Sequence, residues 1–511
     1  MDSISSLWAG FQVALTPTNL FFCFVGVFIG TLVGVLPGIG PPGALAMLLP
    51  VTIGVPPTSA IIMLAGIYYG AQYGGSTTSI LVNIPGEASS IVTCIDGYQM
   101  ARQGRAGPAL GISAIGSFVA GTLSLFFLCL LAHPMTHLAL RFGPAEFFGL
   151  MMMGLIFVTF LSSSSMTKSL ISMGMGLILT SVGMDIITGK VRFGFGSMEL
   201  ANGIGLIPLA MGLFGLGEVL LNLETKIDRK VFEGRIKGVL PNKSDLKVSS
   251  GPILRGSILG FFLGVIPGGG ALLASFFSYA MEKKLSKTPE RFGKGAIEGV
   301  AGPESANNSG AGGAFVPLFT LGIPSNSVMA MLLGAFILYG IVPGPLLMNE
   351  HPEIVWGTIA SMYIGNVMLL ILNLPLIGLW IQILKVPYHV LYPVITFFMI
   401  IGSYSLRNSF FDVLLLIIFG VLGYLMKKFQ YDAAPLVLAF VLGDQIETAF
   451  RQALIISAGK FSIFVTRPIA ATFLLISLIL LLLPVFSWIR GRKSIVSQVT
   501  TEGKTDKSIL G

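Results

Sequence analysis

The chain has 511 residues, of which 54% are apolar and 11% charged, and its mean hydropathy is +0.86. Soluble domains carry about 25% charged residues, so too little polar surface is available to dissolve a protein of this length. The net charge of +8 comes from Lys and Arg gathered between apolar runs, where they act as topology signals rather than a nucleic-acid footprint. Apolar runs such as Leu474–Leu483 are continuous and not alternating, which excludes a β-barrel. Cys23, Cys94 and Cys129 are far apart, so neither a disulfide framework nor a metal site is indicated.

In chain order, spanning runs are predicted at 109–132, 146–161, 169–187, 203–222, 354–372, 374–385, 388–402, 409–426, 434–450 and 471–489. At roughly twenty residues per crossing, an all-α polytopic protein of about 10–13 transmembrane helices is expected, broken helices included. The 64 glycines and 28 prolines point to close-packed, interrupted helices.

An internal repeat organises the chain. Gly26, Gly30, Gly34, Pro37, Gly38 and Gly40 recur as Gly256, Gly260, Gly264, Pro267, Gly268 and Gly270, all at one offset of 230 residues. A second matched region, Gly74-Gly75 with Ile84-Pro85 against Gly312-Gly313 with Ile323-Pro324, is offset by about 239, so an insertion lies between; Glu282–Lys294 is the candidate. A single small-residue pattern means little in an apolar chain, but six identities in register are not chance.

Charge orients the repeat. Residues 223–252 hold seven basic positions against four acids, and the tail 490–511 holds five against two. Both are expected on the cytoplasmic side, with the amino terminus outward. The two glycine ladders then enter from opposite faces, as in many secondary transporters. Segment 253–281 has basic flanks at both ends, which favours a re-entrant hairpin bent at Pro267–Gly270. A single kinked crossing would be about 43 Å long at 1.5 Å per residue. The expected organisation is a first repeat over 1–222, a basic linker over 223–252, a second repeat over 253–450, and a final helix with a basic tail over 451–511.

Enzymatic signatures are absent. No Walker A sequence exists, and Gly38-Ile-Gly40-Pro-Pro-Gly43 matches a dinucleotide fingerprint by letters alone. His133 and His137 are separated by Pro134 and lack a following Glu. Asp432 and Asp444 do not make an intramembrane aspartyl dyad, since position 441 is Val where the Gly-x-Gly-Asp pattern needs Gly. No cofactor is expected beyond a coupling ion, Na⁺ or H⁺.

Polar residues beside backbone breaks remain. In the first half these are Ser76, Thr77, Thr78 and Asn83, next to Pro85 and Gly86; in the second they are Asn307, Asn308, Ser325 and Asn326, next to Pro324. A helix stopped inside a membrane leaves backbone groups unpaired, costing several kcal/mol each in hydrocarbon, by an order-of-magnitude estimate of about 4–8. Such breaks persist where protein or water covers them, commonly at a binding site. Half-helix N-termini suit an anion such as a carboxylate. These residues are the expected substrate contacts, and the rarer acids Glu87, Asp96 and Glu304 are candidates for ion coupling. The bland reading is that all of them only close kinks and glue helices.

At these same segments the chain resembles the large membrane subunit, TctA type, of the tripartite tricarboxylate transporter family. The resemblance rests on Gly34-Val-Leu-Pro-Gly-Ile-Gly40, Tyr68-Tyr-Gly-Ala-Gln-Tyr-Gly-Gly-Ser-Thr-Thr-Ser-Ile-Leu-Val-Asn-Ile-Pro-Gly86 and Asp96-Gly-Tyr-Gln-Met-Ala-Arg-Gln-Gly-Arg-Ala-Gly107. The second half adds Pro303-Glu-Ser-Ala-Asn-Asn308, Leu321-Gly-Ile-Pro-Ser325 and Gly340-Ile-Val-Pro-Gly-Pro345. The region after about 390 carries little of it. The resemblance implies an ion-driven importer of the bacterial inner membrane. It would work with a small TctB-like membrane subunit and a TctC-like periplasmic binding protein, on an organic anion of carboxylate type. A passive channel and a non-transporting assembly subunit are the alternatives.

Overall fold

The computed structural model describes residues 3–36, 40–162, 164–185, 187–224, 238–268, 270–384, 386 and 388–489. In chain order its helices are α1 (Ser3–Ala14), α2 (Pro17–Val35), α3 (Gly40–Leu48), α4 (Pro57–Val82), α5 (Ile91–Met100) and α6 (Ala106–Ala139). Next come α7 (Pro144–Leu161) and α8 (Met166–Thr180), a hairpin of β1 (Gly183–Met184) and β2 (Val191–Arg192), then α9 (Met198–Ala201), α10 (Leu206–Ala210) and α11 (Gly217–Glu224). The second half holds α12 (Lys243–Val265), α13 (Gly270–Leu285), α14 (Glu298–Gly313), α15 (Phe315–Leu321), α16 (Ser327–Leu338), α17 (Leu347–Glu350) and α18 (Pro352–Asn373). It closes with α19 (Ile377–Leu384), α20 (Tyr388–Arg407), α21 (Phe410–Lys428), α22 (Ala433–Ile456), α23 (Ile463–Thr466) and α24 (Pro468–Ile489).

Helices dominate because an α-helix satisfies its own backbone in an apolar setting. Among the described residues, nine stretches are long and apolar enough to cross a bilayer, and three shorter apolar helices accompany them. The chain is thus an all-α polytopic membrane protein, as composition predicts. The expected run 169–187 overshoots: α8 stops at Thr180, and Gly183, at φ +122°, starts the β-hairpin.

The structure forms two compact units. The first comprises the described residues of Met1–Arg141 and Gly203–Phe429; the second comprises those of Phe142–Asn202 and from Gln430 onward. In the second unit, α8 packs on α22 through Gly176, where a methyl would stand 2.2 Å from the Leu436 carbonyl oxygen. Phe148, Phe450 and Phe464 pack together there. Arg451 bridges Asp185 of the hairpin and Glu447 of α22.

The repeat is built into the first unit as contacts. A methyl on Gly26, Gly30 or Gly34 of α2 would fall 2.3, 2.5 and 2.3 Å from the carbonyl oxygens of Met63, Ile67 and Ala71 in α4. On α12, a methyl on Gly256, Gly260 or Gly264 would fall 2.4, 2.1 and 2.1 Å from those of Gly302, Ala306 and Gly310 in α14. Gly74 meets the Thr31 carbonyl as Gly313 meets that of Phe261. Every partner on one side differs by 230 and every partner on the other by 239, so one packing is used twice. The nine extra residues fall after Gly270 and before Gly302, a window that contains Glu282–Lys294.

In each pair the contact numbers rise together, so α2 runs parallel to α4 and α12 parallel to α14. The chain must therefore turn back between them, through α3 in one case and α13 in the other. That settles 253–281 as a hairpin. Its bend is at Pro267–Gly268, with Gly268 at φ +79° and its N–H donating to the Ser325 carbonyl at 2.7 Å. Gly40 and Gly270, which open α3 and α13, both have positive φ (+66° and +52°). Pro37 and Gly38 lie outside the described residues. So do residues 225–237 of the basic linker and the tail from 490, while Lys243 and Lys247 belong to the first turns of α12.

Candidate functional site: a polar cluster shared by the two repeats

The site is built on α4 and α14, the two helices against which the glycine ladders pack. Both run unbroken through their polar stretches, Tyr73–Ser79 and Pro303–Ser309. The reason is local. Ser76 and Ser79 return hydrogen bonds to the carbonyls of Gln72 (3.2 Å) and Gly75 (3.0 Å), and small side chains let neighbours cover the helix. The breaks come later, one turn past Ser79 in the first half and thirteen residues past Ser309 in the second. Asn83 ends α4 at φ 58°, ψ 29°, and Gly322 ends α15 at φ 70°, ψ 22°, again 239 residues apart. An Ile-Pro pair follows each, so Pro85, Gly86 and Pro324 do sit outside helices.

Glu304 of α14 is fully buried. Its carboxylate accepts hydrogen bonds from the hydroxyls of Ser76 on α4 and Thr93 on α5, and from Asn307 Nδ2 at 3.5 Å. Asn307 Oδ1 accepts from Asn308 Nδ2 at 2.6 Å, and that same amide reaches Ser117 Oγ on α6 at 2.7 Å and the Glu304 carbonyl at 3.0 Å. The structure thus brings Ser76 of the first half together with Glu304, Asn307 and Asn308 of the second. Asn308 also borders a cavity of about 20 Å³ with Tyr69, Tyr73 and Asn366, space for about one water.

Glu87 is the second buried acid. It caps the turn at 88–90 that runs on into α5: Ser89 N–H donates to it at 3.2 Å and the Ser89 hydroxyl also donates. Ser89 Oγ lies 2.9 Å from Gln72 Oε1. Among the described residues neither Glu87 nor Glu304 forms an ion pair. Burying an isolated carboxylate costs roughly several kcal/mol even after relaxation, and the surrounding hydroxyls and amides offset only part of it.

Asn326 caps α16, its Oδ1 accepting Met329 N–H at 2.9 Å and its Nδ2 donating to the Tyr68 hydroxyl at 3.3 Å. Ser325 is fully buried and its hydroxyl has no partner among the described residues. Thr78 closes the end of α2 by donating to the Val35 carbonyl at 2.7 Å. Thr77 is buried on α4, and Asn83 is half-buried. Asp96 is placed apart from this cluster's hydrogen bonds. It accepts from the N–H groups of Gly293, Gly295 and Ala296 at 2.7–2.9 Å and from the Tyr279 hydroxyl at 2.8 Å, clasping the loop before α14 to α5.

Sequence reasoning misses Tyr68, Gln72, Ser89, Thr93 and Ser117. For Gln72 a signal exists in its i, i+4 spacing to Ser76, and for Tyr68 in its 239-residue match to Asn307.

A family model for the tripartite tricarboxylate transporter TctA family matches residues 20–438. A relative from Agrobacterium vitis, described as an uncharacterized 52.8 kDa protein in the TAR-I ttuC' 3' region, is 53% identical over 493 residues, covering 96% of this chain and 98% of its own. A second from the same organism, in the TAR-II ttuC' 3' region, is 54% identical over 234 residues, covering 46% of this chain and 97% of its own. No solved structure matches the chain. With the family model spanning most of its length and a relative matching end to end, the chain belongs to the TctA family of tripartite tricarboxylate transporters, as a membrane subunit.

Proposed function

We propose that this subunit is the translocating part of a secondary importer that moves a carboxylate-type organic anion across the bacterial inner membrane with Na⁺ or H⁺. A TctC-like periplasmic protein delivers the solute, and a TctB-like small membrane subunit completes the complex. The observation that carries this reading is Glu304: a buried carboxylate without a cationic partner among the described residues, held by hydroxyl and amide groups from both repeats. Such a group is neutral only when it holds a proton or a metal cation, which is what coupling requires. Glu87 is its companion, and Asp96 serves as the anchor of the loop before α14. Ser76, Asn307, Asn308, Ser325 and Asn326 are the proposed solute contacts, with Thr77, Thr78 and Asn83 supporting them.

Charge placement supports an inverted arrangement of the repeats. Arg105 pairs with Asp245 at the start of α12 at 2.6 Å, and Gln103 donates to the Lys294 carbonyl at 2.8 Å. One end of the first unit therefore gathers Arg102, Arg105, Lys243, Lys247 and Lys294. The start of α12 lies at that basic, cytoplasmic end; the start of α2 has no basic residue.

Energetics explains the need for coupling. One charge moved through 100 mV costs about 2.3 kcal/mol, so a dianion entering against roughly 150 mV faces about 7 kcal/mol. The test is uptake of labelled citrate in vesicles carrying the complete system. Accumulation should collapse when the Na⁺ and proton gradients are removed. Uptake that persists without either gradient, or that never exceeds equilibrium, favours the passive channel; no uptake by the chain with its partners favours an assembly role.

A further inference from the structure

Positions 87 and 326 are the same place in the two repeats. They are 239 residues apart, follow matched left-handed helix ends and matched Ile-Pro pairs, and share one backbone conformation: φ −146°, ψ 166° at Glu87 and φ −154°, ψ 176° at Asn326. Each caps the helix that restarts after the break. Their side chains differ in the one respect that matters for an anion. At the first site the protein supplies its own carboxylate, which takes the N–H and hydroxyl of Ser89. At the second it supplies an amide and no charge.

The second site is also left with donors to spare. Asn326 Oδ1 must be the atom that faces Met329 N–H, so the atom facing Tyr68 is the amide nitrogen, and the Tyr68 oxygen accepts. The Tyr68 hydroxyl hydrogen then points onward with no acceptor among the described residues, although Tyr68 is 2% exposed. Ser325, adjoining the cap and 0% exposed, has a hydroxyl without a partner among the described residues. The N–H groups of Ser327 and Val328, in the first turn of α16, find no acceptor among the described residues either. Unpaired buried donors are costly, and a helix start favours negative charge.

We propose that a carboxylate group of the transported anion occupies the start of α16, in the place that Glu87 fills with its own carboxylate in the first repeat. Tyr68 and Ser325 donate to it, and the break before α16 is the solute site while the break after α4 is closed by Glu87. The inference rests on the importer reading above and adds to it which half binds the solute, through which donors, and by which chemical group.

The test compares labelled citrate, malate and malonate uptake in cells expressing the subunit with its neighbouring genes and lacking other carboxylate uptake. Asn326→Glu places a tethered carboxylate in the site and should abolish saturable uptake of every one of them, while the purified protein stays monodisperse in detergent. Tyr68→Phe removes only a hydroxyl and should raise KM about tenfold, the size of one hydrogen bond to a charged group, with a maximal rate close to that of the natural protein. Ser325→Ala should act in the same direction. Unchanged KM in Tyr68→Phe together with surviving uptake in Asn326→Glu overturns the inference and leaves the importer reading standing. Failure of the natural protein to accumulate any of the three overturns the importer reading itself.

Discussion

Adding one methyl group to a rung of either glycine ladder should damage the protein far more than adding it elsewhere. In Gly264→Ala the new Cβ would lie 2.1 Å from the Gly310 carbonyl oxygen and 2.7 Å from its Cα. Ordinary contact begins near 3.4 Å, so α12 and α14 must separate by about 1.3 Å, or the backbone must bend. Both clashing atoms are main chain, so no rotamer change relieves them. Overpacking of this kind costs about 1–3 kcal/mol, and the Cα–H···O contacts that small residues permit are lost as well. Gly34→Ala, which meets the Ala71 carbonyl at 2.3 Å, should behave alike, because it is the same rung of the other repeat. A methyl added to Gly174, within α8, would meet nothing within 4 Å, and Gly174→Ala should be neutral or stabilising by up to about 1 kcal/mol. Thermal unfolding of the three purified variants in one detergent checks this. Equal melting temperatures for Gly264→Ala, Gly34→Ala and Gly174→Ala would refute the claim that the ladders set the helix spacing.

Three further outcomes are expected. Asn308→Ala removes the amide that joins Ser117, Asn307 and the Glu304 carbonyl, and should reduce uptake at least tenfold with normal membrane expression; full uptake would remove Asn308 from the site. Asp96→Ala frees three backbone N–H groups and the Tyr279 hydroxyl, a local loss of about 3 kcal/mol, so limited proteolysis should cut between residues 288 and 296 much faster, and unchanged cleavage would refute the clasp. Asp185, in the hairpin outside the spanning segments, has its carboxylate held below the usual range, chiefly by the Ile187 N–H and also by Thr188 and Arg451. A lowered folded-state pKa contributes stability above the unfolded value near 3.8 that disappears as pH falls through the folded one. The melting difference between the natural protein and Asp185→Asn should therefore be constant from about pH 8 to 5 and shrink below about pH 4; a difference that grows on acidification would contradict it.

Much of this architecture is legible because its cause is periodic. Gly26, Gly30 and Gly34 matter through their spacing, and spacing survives in a sequence; so does the Pro267-Gly268 turn that reverses the chain. Glu304 and Glu87 stand out because an acid is rare in so apolar a chain. What cannot be read is contact between distant, ordinary residues. Thr93 and Ser117 look like any small polar residue of a membrane helix until α5 and α6 bring them to Glu304 and Asn308. Apolar-run counting omits α4 altogether, since its Gly, Ser, Thr and Tyr residues lower its hydropathy, although it is buried along nearly its whole length. The polar stretch of α4 stays helical with Ser76 and Ser79 bonding back to their own helix, and in α14 Asn308 does the same to the Glu304 carbonyl. Nor does composition mark residues 142–202 as packing with the chain from 430 onward, because that unit forms by pairing of helices remote in sequence.

The most direct measurement is the behaviour of Glu304→Gln in proteoliposomes assayed two ways, for accumulation of labelled citrate driven by an imposed cation gradient and for citrate exchange across the membrane without one. Glutamine keeps the hydrogen-bonding shape but holds neither a proton nor a cation as a carboxylate does, so exchange should persist while accumulation is lost. Gradient-driven accumulation by Glu304→Gln equal to that of the natural protein would contradict the assignment of coupling to this cluster.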